Sequence, residues 1–158
     1  MADFFFAFDE IRQVFDLAKT LANDDEAQLY NAVVISLFTD ARAKPDDRLP
    51  DEPRTGAVPA TLYRDRRGWH GDAKIGSRRW LLYREKQVPE VLQRLEEYDR
   101  EALQWLITDK VVSSIDITES FPARGVVLSE IVLHRPSVPA LTFRFQMLWE
   151  KLGGFHAV

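Results

Sequence analysis

Residues 66–89, RRGWHGDAKIGSRRWLLYREKQVP, constrain this 158-residue chain more than any other stretch. Two tryptophans, three glycines and a run of arginines fall within it. Gly68 and Gly71 bracket the bulky pair Trp69-His70, so the Arg66–Asp72 segment reads as a turn with unusual backbone angles rather than a helix or strand. Ser77 follows as an N-cap, and Arg78–Lys86 reads as a short helix behind it. Pro89 stands just inside the next helix, where its missing N–H is no loss.

Charge is concentrated in the same place. The formal net charge is −4, but residues 62–86 carry 8 basic and 3 acidic groups, whereas the segments before and after sum to −6 and −3. A basic band of this kind, Arg64–Arg84 in particular, can bind nucleic acid. The acidic flanks would repel a phosphate backbone, and the preference for Arg over Lys favours fixed, bidentate contacts to carboxylates. Partners within a protein are therefore favoured over nucleic acid.

The remaining segments read as an α+β fold. Residues 3–8 and 14–18 are two short strands around a polar turn, with Phe4, Phe6 and Phe8 on one face. Asn23–Glu26 starts a helix that should run to about Arg42, apolar over most of its circumference. Residues 43–65 hold Pro45, Pro50, Pro53, Pro59 and Gly56 and read as a long irregular loop. The longest helix is expected over about Pro89–Asp109, with Val88, Val91, Leu95, Tyr98, Ala102 and Trp105 as a seam that Leu92 and Leu106 widen. Three strands then form an antiparallel meander: Val111–Phe121, Val126–His134 and Leu141–Trp149. In the last, Leu141, Phe143, Phe145, Met147 and Trp149 share a face. Gly153-Gly154 opens a short flexible tail over 152–158. Helices on one face of an antiparallel sheet, in a single domain, account for a chain with 46% hydrophobic and 29% charged residues.

Little points to catalysis. With no cysteine the chain has no thiol chemistry or disulfide, as suits folding in a reducing cytoplasm. His70, His134 and His156 are scattered and lack metal-ligand spacing, so neither a metal nor a cofactor is expected. No apolar run reaches the roughly 18 residues of a membrane span, and the Phe4–Phe8 run has no basic n-region, so it does not read as a signal peptide.

Several motifs together resemble one family. R-R-G-W-x-G-D, then I-G-S-R-x-W-L-L-x-R-E-K-x-x-P-E, is similar to the Mu-type phage baseplate wedge proteins, relatives of the T-even sheath-initiator baseplate protein and its type VI secretion counterpart. Val34–Ala43 and Glu97–Leu106 fit the same resemblance in order and spacing, which covers roughly residues 30–110. Two residues depart from it, His70 standing where the pattern has a second aromatic and Arg79 where it has an apolar residue, and the insert Asp51–Leu62 is longer than the pattern needs. The resemblance implies a structural, non-enzymatic subunit of a contractile tail baseplate, with a sheath-initiator-like fold. Its implied partners are the other wedge proteins and the tail sheath, with the tail tube or hub beyond. It also implies structural or assembly roles for Arg67, Trp69, Asp72, Ser77, Arg78, Trp80, Arg84, Glu85, Pro89, Tyr98 and Trp105. Among these, Glu85 with some of Arg78, Arg79 and Arg84 should form an ion network that Trp69 and Trp80 keep dry. Strand edges at Phe4, Phe6, Phe8, Phe143 and Phe145 are the expected contacts for a neighbour.

The alternative reading is a peptidoglycan-cleaving, lysozyme-like baseplate enzyme. It needs two carboxyls across a cleft, one with a raised pKa. Glu85, Glu90, Glu96 and Glu97 are candidates only by abundance, and the charges of Arg84 and Lys86 would lower the pKa of Glu85.

Overall fold

The computed structural model describes residues 4–9, 14–19, 24–50 and 75–149, the first two stretches as backbone only. Strands β1 (Phe4–Asp9) and β2 (Val14–Lys19) pair antiparallel, from Phe4 opposite Lys19 to Asp9 opposite Val14. Helix α1 is Asp24–Phe38, and Arg79–Leu82 is a single 3-10 turn. Helix α2 is Pro89–Thr108. Strands β3 (Ser114–Ala123), β4 (Val126–His134) and β5 (Leu141–Leu148) form an antiparallel sheet in the order β3-β4-β5. The architecture is α+β, as the sequence pattern requires.

Alternation builds the sheet. Along β4, Val127, Ser129, Ile131 and Leu133 are wholly buried while their neighbours are half-exposed. Ile115 and Ile117 of β3 and Phe145 and Met147 of β5 complete the same inner face. Helix α1 lies against β5, with Phe38 edge-on to Phe145 at 5.2 Å and Tyr30 edge-on to Phe143 at 5.6 Å. Helix α2 lies against β3, and Leu103 and Leu106 join the core between the layers. Truncating a wholly buried leucine such as Leu103 to alanine costs about 2–5 kcal/mol in a core of this kind.

Helix ends depart from expectation for identifiable reasons. Helix α1 stops at Phe38 rather than Arg42, because the chain beyond it pairs with another segment. The Ser77 N–H donates to the Thr39 carbonyl and the Ala41 N–H to the Ser77 carbonyl, both at 2.9 Å. Gly76 makes that approach feasible: its φ is +99°, and a Cβ there would lie 2.4 Å from the Thr39 oxygen. The helix expected over Arg78–Lys86 is therefore only the one 3-10 turn. Arg78 is its N-cap residue, and Ser77 Oγ accepts from the Arg79 N–H at 3.3 Å.

Helix α2 begins as expected, with extended Val88 before Pro89 at the first turn. It ends in a Schellman motif without glycine. Lys110 takes φ 59°, its N–H donates to the Ile107 carbonyl at 3.0 Å, and the Val111 N–H donates to Leu106 at 2.9 Å. That turn uses residues 110–113, so β3 starts at Ser114 and not at Val111. At its far end β3 includes Pro122 and Ala123 after a register shift, leaving a tight turn at Arg124-Gly125, where Gly125 has φ +77°.

The buried stripe of α2 is Val91, Leu95, Asp99, Ala102, Leu103 and Leu106. Val91, Leu95 and Ala102 of the expected seam, and Leu106 beside it, are buried, and the departures are at Val88, Tyr98 and Trp105. Asp99, not Tyr98, faces the core, and Val88 and Trp105 are exposed. The start of the irregular segment is also anchored: Ala43 and Leu49 are buried against Trp80 and Leu81. The expected loop over 51–65 and tail over 152–158 lie outside the described residues.

Candidate functional site

The most unusual chemistry in the molecule surrounds Arg79. The 3-10 turn carries its side chain inward, between α2 and the sheet, where it is 3% exposed. Its Nε donates to Asp99 Oδ1 at 2.5 Å and its Nη2 to Asp99 Oδ2, a bidentate pair. Nη2 also reaches Ser129 Oγ at 2.7 Å and Glu119 Oε1 at 3.4 Å. Ser129 in turn donates to Glu119 Oε2 at 2.7 Å. Ser77 Oγ touches Asp99 Oδ1 at 3.4 Å, and the guanidinium lies 5.2 Å from the centre of the Phe38 ring. Glu119 and Ser129 are direct partners in the β3–β4 register, so the strand pairing itself places them side by side.

One guanidinium thus meets two carboxyl groups in a space closed to water, with the Asp99 side chain 0% and the Glu119 side chain 1% exposed. Burial opposes the Arg79 charge, but Asp99 and Glu119 more than offset it and raise its pKa. Glu119 moves the other way from an ordinary carboxylate. Burial first, and then the charge of Asp99, push it up to about 9, against the smaller pull of Arg79. Glu119 is therefore protonated at neutral pH, and the cluster is one ion pair plus one neutral acid. A raised carboxyl beside a second carboxyl is also what a glycosidase needs. Here neither group can be reached by a sugar, so this pair does not supply that chemistry.

A second ionic cluster lies next door. Arg78 turns outward from the same 3-10 turn. Its Nη1 and Nη2 donate to Asp47 Oδ1 and Glu101 Oε2, each at 2.6 Å, and its guanidinium sits 4.3 Å above the Tyr98 ring. Lys44 Nζ adds a 3.1 Å contact to Glu101. These contacts tie residues 44–47 to α2. Burial raises the Glu101 pKa, but the bonds from Arg78 and Lys44 outweigh it and leave that pKa lowered. Arg78 and Arg79 are thus both committed to carboxylates.

The other expected residues divide. Trp80 is 2% exposed, and its Nε1 donates to the Ala41 carbonyl at 2.8 Å, locking the turn to the chain after α1. Ser77 is buried, and Pro89 starts α2. Arg84 is exposed, with its guanidinium 5.2 Å from the Tyr83 ring. Glu85 is not in the buried network. Its side chain is 42% exposed and pairs with Arg94 of α2 at 3.2 Å. It sits past the end of the 3-10 turn, where the chain has already returned to the surface. Phe143 and Phe145 point to α1 rather than outward, so what β5 leaves open is backbone. On that side no strand pairs with it among the described residues, and the same holds for the far side of β3. Phe4, Phe6 and Phe8 occupy alternate positions of β1, but their side chains, like Arg67, Trp69 and Asp72, lie outside what is described.

Asp99, Glu119 and Ser129 were not singled out from the sequence, though a signal for each existed. Each is a polar residue at a core-facing step of its own periodicity: Asp99 between Leu95 and Ala102, Glu119 after Ile115 and Ile117, Ser129 between Val127 and Ile131. Among the described residues no cluster of His, Asp or Glu could hold a metal ion, and no helix is long and apolar enough to cross a membrane.

The family model for phage protein GP46 matches residues 29–139. The chain belongs to this family. The match takes in most of α1 and all of α2, β3 and β4, and with them Arg79, Asp99, Glu119 and Ser129, while β5 lies beyond it. The baseplate protein gp46 of Escherichia phage Mu is 41% identical over 118 residues, covering 72% of this chain and 74% of that protein. The Mu-like prophage FluMu protein gp46 of Haemophilus influenzae is 36% identical over 133 residues, covering 80% and 82%. No solved structure matches the chain.

Proposed function

We propose that this GP46 protein is a structural subunit of a contractile phage tail baseplate, placed in the wedge around the tail tube. The similarity to the Mu baseplate protein over 74% of that protein's length carries this reading. Its work is assembly rather than catalysis. Its neighbours are other wedge proteins and the first ring of tail sheath, and it takes part in starting sheath polymerisation. The backbone edge of β5, unpaired among the described residues, suits that role, since an extended segment of a neighbour can add to it as a further strand. The closed carboxyl pair at Asp99 and Glu119 supports a fold-holding role for the most polar part of the interior.

Co-expression with the adjacent baseplate proteins, sized by light scattering against the chain alone, tests the proposal. A stable mixed complex is expected. A chain that stays alone and clears cell-wall suspensions would overturn the reading in favour of a hydrolase.

A further inference from the structure

Two of the exposed large apolar side chains among the described residues, Trp105 and Val111, face a cleft that the Arg79 network does not use. Asp25, Gln28, Leu29 and Ala32, one stripe of α1, form one wall. Trp105 and Leu106 of α2, with Val111 of the turn behind it, form the other, and Arg135 after β4 completes the lining. The cleft encloses about 430 Å³. Trp105 is 40% exposed and Val111 40%, and the α1 stripe continues past the cleft to Ile35, which is 44% exposed. Trp105 is held in place: its Nε1 donates to Ser36 Oγ at 3.0 Å. A fixed aromatic wall of this kind loses little freedom on binding, which is what an anchor pocket at a protein interface needs.

The polar lining narrows the occupant. The Arg135 side chain is 13% exposed, and its Nε is buried without a hydrogen-bond partner. Its Nη2 donates to the Pro139 carbonyl at 3.1 Å and lies 3.8 Å from Glu26 Oε1, a long contact to a half-exposed carboxylate. Asp25 is exposed and stays hydrated, so the desolvated charge of the cleft is the cation. A carboxylate arriving with an apolar side chain would give the partly exposed Arg135 side chain a closer partner than Glu26.

We infer that the α1–α2 cleft seats a bulky apolar side chain of a neighbouring protein subunit, with an adjacent carboxylate of that subunit meeting Arg135. The identity of the neighbour as a baseplate protein rests on the proposed function; the chemistry of the cleft does not.

Two measurements test it. The first is an NMR titration with 3-phenylpropionate and, in parallel, its uncharged amide. The Trp105 indole N–H and the Ala32 methyl should shift, the acid should bind at least about threefold tighter than the amide, and Arg135→Met should abolish that preference. Silence at both reporters, or equal affinities in the wild-type chain, would overturn the inference. The second replaces Ala32 by arginine to block the cleft, with folding checked by circular dichroism, and co-expresses the variant with the baseplate proteins. Loss of the mixed complex is expected, and normal incorporation of the folded variant would overturn the assignment. A dimer of the chain itself that Ala32→Arg abolishes would also overturn it, making a second copy the occupant. A wild-type chain that fails to join any baseplate complex would contradict the proposed function, while the titration would still decide the cleft.

Discussion

Arg78 and Arg79 are neighbours at the start of one 3-10 turn, yet they organise opposite environments. Arg79 points into the layer between α2 and the sheet and meets Asp99 and Glu119 where both carboxyl side chains are buried. Arg78 points to the rim and meets Asp47 and Glu101, the latter 48% exposed. The two glutamates respond in opposite senses. Inside, desolvation wins, and Glu119 is raised to about 9. At the rim, hydrogen bonds from Arg78 and Lys44 win, and Glu101 is lowered. The same pairing of arginine with glutamate therefore yields a neutral acid in one place and a carboxylate in the other, and burial decides which.

The largest expected effect comes from breaking the inner pair. Asp99→Ala leaves the Arg79 guanidinium buried without its main partner and should cost about 3–5 kcal/mol, measured by chemical denaturation. A loss below about 1 kcal/mol would remove the contrast between interior and rim. Gly76→Ala should come next, at about 1–3 kcal/mol, because φ is +99° and the new Cβ would strike the Thr39 carbonyl. It should loosen the whole turn and so affect both arginines.

Glu119→Gln sharpens the comparison through pH. The folded pKa of Glu119 is raised above its unfolded value, so its contribution is fully present below about 4.5 and is lost as pH rises toward about 9. Glutamine does not titrate. The variant should therefore gain on the wild type with rising pH, by at least about 1 kcal/mol at the alkaline end, in urea melts across that range. Glu101→Gln should show the reverse sign. Its lowered pKa contributes stability above the unfolded value, so the variant should be slightly weaker at neutral pH, by less than about 1 kcal/mol, and level with the wild type once acid protonates Glu101. The smallest effect is expected for Glu85→Gln. Its pair with Arg94 is exposed on both sides, and the melting temperature should barely move.

The elements were legible because their periodicities are clean: β4 begins and ends where the alternation does, and α2 starts at Pro89. The network was less legible. The ion network that the resemblance implies runs through Glu85, a residue that is near the arginines in sequence but pairs with Arg94 at the surface. The actual partners lie 20, 40 and 50 residues away from Arg79, on a helix and two strands. Composition and local charge cannot bring such residues together; only the inward phase of each element does. Arg79 itself was visible as a departure, a charge where an apolar residue fits the pattern. A buried charge at such a position requires a counter-charge at another core-facing position, and Asp99 in the α2 stripe was the available one.

The protonation of Glu119 tests the account most directly. With the side-chain carboxyl labelled with carbon-13, its chemical shift can be followed by NMR from pH 4 to pH 10. A neutral acid at pH 7 with a midpoint near 9 is the expected result. A midpoint near 4.5, the ordinary value, would mean that water reaches Glu119 and that the interior and the rim are not different environments.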